Sequence, residues 1–186
     1  MMTWFVDGAI FAVGSAVVVW WSRKALLRPG SHGFYRFFAW EAILGLIVLN
    51  RRAWGGDPLS LHQLASWALL LSSIVLVVVG IRTLAREGRM NTMRKDDALY
   101  AWEGTDQLVT TGIFGHIRHP MYTSLLALTW GAFFQAPSRV GAVVAALGSF
   151  CLLLTALSDE RECRAWFGEA YVAYMRRTWR FIPYIY

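Results

Sequence analysis

The 186-residue chain is predicted to be an all-α integral membrane protein of about five transmembrane helices with a C-terminal interfacial helix. Three observations lead there. It is 56% hydrophobic and only 16% charged, well below the quarter usual in soluble domains. Five apolar runs punctuate it, several approaching the roughly 20 residues that cross about 30 Å of hydrocarbon. Lys and Arg also fall unevenly between alternate connections.

The first run, Trp4 to Trp21, follows no basic segment and contains Asp7, so it is expected to be kept as a span and not cleaved as a signal. Spans are then expected from about Tyr35 to Leu49, Leu64 to Ile81, Tyr122 to Phe134 and Val140 to Leu157. The turn from Gln135 to Arg139 is short, which predicts an antiparallel hairpin of the last two spans. Trp4, Trp20, Trp21, Trp40, Trp54 and Trp67 lie near proposed helix ends, where indole rings favour the headgroup layer. Arg82 to Arg118 is a long polar connection, of the kind compact folds keep for function. Glu160 to Tyr186 alternates Arg with aromatic residues as an interfacial helix does, and is expected to lie along the membrane and cover something. The whole is read as one membrane domain, residues 1–81 giving three spans and 82–186 the chemistry. It has no internal repeat, low-complexity segment or GxGxxG motif.

Five spans place Arg23, Lys24, Arg28, Arg36, Arg82, Arg86, Arg89, Arg94, Lys95, Arg118, Arg161, Arg164, Arg176, Arg177 and Arg180 on one side. Only Arg51, Arg52 and Arg139 fall on the other. This asymmetry predicts a cytoplasmic first side and an external N-terminus, in a membrane of the bacterial inner (plasma) type. Orienting the chain accounts for the net charge of +6 without nucleic acid. Cys151 and Cys163 have no metal-ligand or CxxC spacing and are read as small buried thiols; no metal is expected.

Two polar clusters then share the cytoplasmic side: Arg118-His119-Pro120 and Asp159-Glu160-Arg161. Ionisable groups at the edge of a span are costly, which marks a site. Proline disfavours α geometry at the residue before it and suits the first helical position, so a helix should begin at Pro120 with its N–H groups facing the loop. Such a start favours an anion. Asp159 and Glu160, brought opposite by the hairpin, offer acceptors for hydroxyl or ammonium groups. Together these suit the polar parts of S-adenosylmethionine, whose sulfonium favours negative surroundings.

The run Leu108 to Phe114, then Arg118-His119-Pro120-Met121-Tyr122, Asp159-Glu160-Arg161, Phe167-Gly168-Glu169-Ala170-Tyr171-Val172-Ala173-Tyr174 and Phe181-Ile182-Pro183 resembles the isoprenylcysteine carboxyl methyltransferase and phospholipid methyltransferase superfamily, from about Asp106 to Pro183. The resemblance implies a multi-pass membrane enzyme that methylates a hydrophobic or lipid-like acceptor, with S-adenosylmethionine in a cytoplasmic pocket under the C-terminal segment. It implies cofactor contacts from Gln107, Leu108, Val109, Phe114, His119, Pro120, Met121, Tyr122, Asp159 and Glu160, with Arg118 beside the reacting centre.

Three departures matter. Asp159 replaces the first glutamate of the family's usual acidic pair, Phe114 stands where tyrosine is frequent, and Thr155 holds the place of the arginine that reads a prenylcysteine carboxylate. The acceptor and any general base, for which His119 and Glu160 are candidates, stay open. A phospholipid amine N-methyltransferase, an NADPH-dependent membrane reductase and a non-enzymatic membrane subunit are the competing readings.

Overall fold

The computed structural model describes residues 2–88 and 107–185. Residues 89–106, which carry Arg89, Arg94, Lys95 and Asp106, lie outside the described part of the long connection. The described residues form six α-helices: α1 (Met2–Leu26), α2 (His32–Asn50), α3 (Leu61–Glu87), α4 (Pro120–Phe134), α5 (Arg139–Phe167) and α6 (Glu169–Met175). Local chemistry sets several of their starts. Ser31 Oγ accepts from Phe34 N (3.2 Å) ahead of α2, and Ser138 Oγ accepts from Gly141 N (3.0 Å) ahead of α5. Pro120 occupies the first turn of α4.

The first five helices alternate in direction. At one end Asp7 of α1 pairs with Arg51 and Arg52 beyond α2, and His62 of α3 bonds the Phe134 carbonyl of α4. At the other, His32 of α2 meets Glu162 of α5 at 2.5 Å, and Arg161 donates to Gly30 O. Both polar clusters therefore share one end of the bundle, as the alternation expected. Among the described residues four helices, α1, α2, α3 and α5, are long and apolar enough to cross a membrane. The fifth, α4, has 15 residues and a length of about 22 Å.

So short a helix ends inside the bundle, where bare carbonyls are costly. Neighbours satisfy them. Ser66 Oγ donates to Gly131 O (2.5 Å), Asn50 Nδ2 to Ala132 O (2.8 Å) and Phe133 O (3.3 Å), and Gln63 Nε2 to Gln135 O (3.4 Å). Gln135 Nε2 in turn donates to Ser66 Oγ at 2.8 Å. Asn50→Leu strips two carbonyls of a donor in a buried site, so we expect a loss of about 1–3 kcal/mol. A lowered thermal midpoint in detergent, with unchanged membrane insertion, checks it.

Helix α3 packs chiefly on α4 and α5 chiefly on α2, with the expected α4–α5 contact a smaller one. Close approach explains two glycines: a Cβ on Gly131 would meet Leu70 at 2.9 Å, and one on Gly148 would meet Ala42 at 3.0 Å. Helix α1 leans on α2 and leaves Trp4, Phe5, Val13 and Trp20 exposed, a face suited to lipid.

The C-terminal region departs from a single interfacial helix. α5 runs beyond Asp159 and Glu160 to Phe167, so the acidic pair sits within it and not at its end. Gly168, at φ 58° and ψ −137°, turns the chain into the seven-residue α6, a conformation glycine adopts without strain. Residues 178–181 then fold back along the loop before α4. Arg118 N donates to Trp179 O (2.8 Å), Trp179 N to His116 O (3.1 Å) and His119 N to Arg180 O (3.2 Å). This strap buries Phe181 against Tyr122 and Ala156.

Candidate cofactor pocket

Gly112, at φ 55°, turns the chain after Thr111 into a 3-10 helix, Gly112–Gly115. Phe114 is thereby buried, and its carbonyl accepts from Tyr174 Oη (2.7 Å), tying the loop to α6. Thr111 Oγ1 donates to Glu87 at the end of α3. The loop thus stands against α3, α6 and the strap of residues 178–181 before Pro120 begins α4.

Behind it Glu160, 1% exposed, gathers three cationic groups. Arg118 Nε donates to Oε1 (2.9 Å), while Arg180 Nε and Nη2 donate to Oε1 and Oε2 (both 3.0 Å). His119 Nε2 stands 3.4 Å from Oε1. Arg118 Nη1 also donates to Met175 O (3.2 Å) and to the Thr178 carbonyl. Glu160 is therefore the knot joining α5, the loop and the strap. A charge this buried is tolerated because its oxygens are fully engaged.

Asp159 faces the other way. Its Oδ2 lies 3.5 Å from His119 Nδ1 and accepts from Tyr122 Oη (3.3 Å), while Cys163 Sγ approaches Oδ1 at 3.5 Å. His119 thus bridges both carboxylates and stacks on Tyr122 with ring centroids 5.2 Å apart. Burial works against its charge, but the hydrogen bonds and negative charge of Asp159 and Glu160 outweigh it, raising its pKa above the ordinary 6.5. A raised folded pKa gives stability that is complete below the unfolded value and lost as pH rises through the folded one. The gap in thermal midpoint between wild type and His119→Gln is accordingly expected to be widest near pH 6 and to narrow on alkalinisation.

In front of Asp159 opens a cavity of about 110 Å³. Of the residues expected at the site, Leu108, Val109, Phe114, Arg118, His119, Pro120, Met121, Tyr122 and Asp159 line it. Gln107 is exposed outside the lining, and Glu160 stands behind the wall. Leu84, Cys163, Phe167, Tyr171 and Tyr174 complete it. Burial holds both tyrosine phenols above the usual range, so they remain neutral. The quoted aromatic run already contained three of these residues, whereas nothing in the sequence singled out Leu84 or the anchoring roles of Thr178 and Arg180. The expected buried thiols are both half-buried, and Cys163 faces the cavity.

An all-helical membrane frame carries, at one end of its bundle, an aromatic cavity with a carboxylate in its wall. The phospholipid methyltransferase family model matches residues 61–165, and the chain belongs to that family. It is thus an integral membrane methyltransferase of the class that acts on lipid-like substrates. No solved structure matches it.

Proposed function

We propose that the protein transfers a methyl group from S-adenosylmethionine to a hydrophobic or lipid-like acceptor, in the manner of isoprenylcysteine carboxyl methyltransferases, with its site facing the cytoplasm. The observation that carries this is the lining itself: one carboxylate, Asp159, among the rings of Phe114, Tyr122, Phe167, Tyr171 and Tyr174. That donor set fits a cation beside a flat heterocycle, since aromatic faces and a carboxylate both attract positive charge.

When bound, the cofactor supplies an activated methyl and its leaving group, leaving position and environment to the protein. Asp159 would hold the positive part, aided by Tyr122. Leu108, Val109 and Phe114 would offer an apolar wall to a flat ring. His119 and Pro120 set the floor at the start of α4. Glu160 positions: it fixes Arg118, His119 and Arg180 so that wall and strap stay closed. Arg118, which lines the cavity, would supply a positive charge beside the reacting centre, and no general base is assigned.

Transfer of labelled methyl from S-adenosylmethionine into a lipid extract tests the reading. We expect incorporation by the wild type and a turnover about 10- to 100-fold lower in Arg118→Ala. Cofactor affinity should fall less than turnover. A larger fall in affinity makes Arg118 a cofactor ligand and not a residue of the reacting centre.

A further inference from the structure

The strap of residues 178–181 is flanked on both sides by residues that face outward. Before it, Arg176 and Arg177 follow α6 and are exposed. After it, Ile182, Tyr184 and Ile185 are 49%, 80% and 74% exposed. Between these groups Phe181 is buried in a cluster with Tyr122 and Ala156, against which Leu125, Leu126 and Leu153 pack, and its carbonyl accepts from Thr123 Oγ1 (3.1 Å). The strap is thus pinned where the apolar lengths of α4 and α5 begin, so the residues after Phe181 emerge at the edge of the apolar layer. Tyr184 turns back onto Trp179, with ring centroids 4.6 Å apart, which keeps this apolar end beside the strap. Charge in the region is one-sided. From Cys163 to Tyr186 the sequence has Arg164, Arg176, Arg177 and Arg180 against one acidic residue, Glu169.

We propose that the two ends of the strap dock on anionic lipid headgroups, and that this contact holds the strap closed; its effect on the cofactor rests on the reading of the pocket given above. Arg176 and Arg177 meet the phosphates, while Ile182, Tyr184 and Ile185 enter the interface beside them. Exposed cations next to exposed apolar side chains suit a surface that sets anions over hydrocarbon. An acidic protein segment would match the arginines and leave the apolar group without a partner. Closure is favoured because a closed strap presents both groups ready placed, whereas a released tail must be ordered to do so. Anionic lipid therefore binds the closed form better, and shifts the equilibrium by that difference. The closed form is the one in which the loop before α4, which carries Arg118 and His119, is paired with Trp179 and Arg180.

Purified protein in nanodiscs of phosphatidylcholine, or of equal parts phosphatidylcholine and phosphatidylglycerol, gives two readouts. Hydrogen exchange of peptides carrying residues 116–119 and 178–181 reports the strap, and titration with S-adenosylhomocysteine reports the pocket. In the wild type exchange is expected to be slower in the anionic discs, and binding about 3- to 10-fold tighter, the scale of one or two arginines at an anionic surface. High salt should remove both differences. Joint Arg176→Gln and Arg177→Gln substitution should also remove them while matching the wild type in neutral discs. Arg139→Gln, which alters an exposed arginine at the other end of the bundle, should keep them. Equal exchange in the two discs, or a difference that survives in the double variant, overturns the proposal. Should the double variant not fold, salt decides: a wild-type difference that persists at high salt overturns it. Slower exchange without any S-adenosylhomocysteine binding supports the lipid contact and overturns the cofactor pocket. Slower exchange with equal affinity in both discs overturns the coupling between them.

Discussion

Glu160→Ala is expected to destabilise the protein by about 3–5 kcal/mol, the scale of removing one partner from a buried ionic cluster. Arg118 and Arg180 would remain buried around the hole, with His119 facing only Asp159 across it. Glu160→Gln keeps the shape and two acceptor or donor positions but not the charge, and should be milder. Cofactor affinity should fall in both variants although Glu160 does not line the cavity, because Arg118, His119 and the strap lose the group that holds them. Thermal unfolding and S-adenosylhomocysteine titration on the same samples check this. Wild-type stability in Glu160→Ala would show that the knot is not structural.

Removing residues 178–186 is the second large effect. The truncation deletes the Thr178 acceptors of Arg118, the paired bonds from Arg180 to Glu160, the backbone pairing with His116 to His119 and the packing of Phe181 on Tyr122. Two charge-assisted hydrogen bonds alone are worth about 1.5–3 kcal/mol each, so cofactor affinity should drop at least about 100-fold. Helices α1 to α5 keep their apolar faces and should still insert. A truncated protein that binds S-adenosylhomocysteine normally would mean that the strap does not close the pocket.

Much of the frame is legible because lipid imposes a simple rule: backbone polar groups must be satisfied within each segment, so apolar length alone marks the helices. The start of α4 is legible for a local reason, the proline after His119. Its end at Phe134 is legible too, from the turn run Gln135 to Arg139, whereas the donors that satisfy its last carbonyls are not, since Asn50, Ser66 and Gln63 arrive from two other helices. The end of α5 is misjudged because hydropathy falls at Ser158 while the helix itself continues until Gly168 allows a turn. The expected C-terminal interfacial helix is the short α6 followed by a strap, a division the sequence does not mark because alternating Arg and aromatic residues suit an interfacial helix and a packed strap alike.

Arg118, His119, Tyr122 and Asp159, which the motif order suggested as neighbours, do line one cavity, since they fall at the same end of the hairpin of α4 and α5. What spacing cannot distinguish is which carboxylate faces the cavity. Adjacent residues on a helix point about 100° apart, so Asp159 turns to the opening and Glu160 to the strap. The partition depends on Arg180, distant in sequence and carried by no helix.

The central claim is that the cavity before Asp159 receives S-adenosylmethionine, and titration calorimetry of S-adenosylhomocysteine into purified wild type and Asp159→Asn tests it most directly. This substitution keeps the size of the side chain and removes its charge, leaving the Glu160 knot in place. The account predicts wild-type binding and an affinity about 10-fold or more lower in Asp159→Asn, with both proteins folded by thermal unfolding. No binding to folded wild type, or equal binding to both, would contradict it.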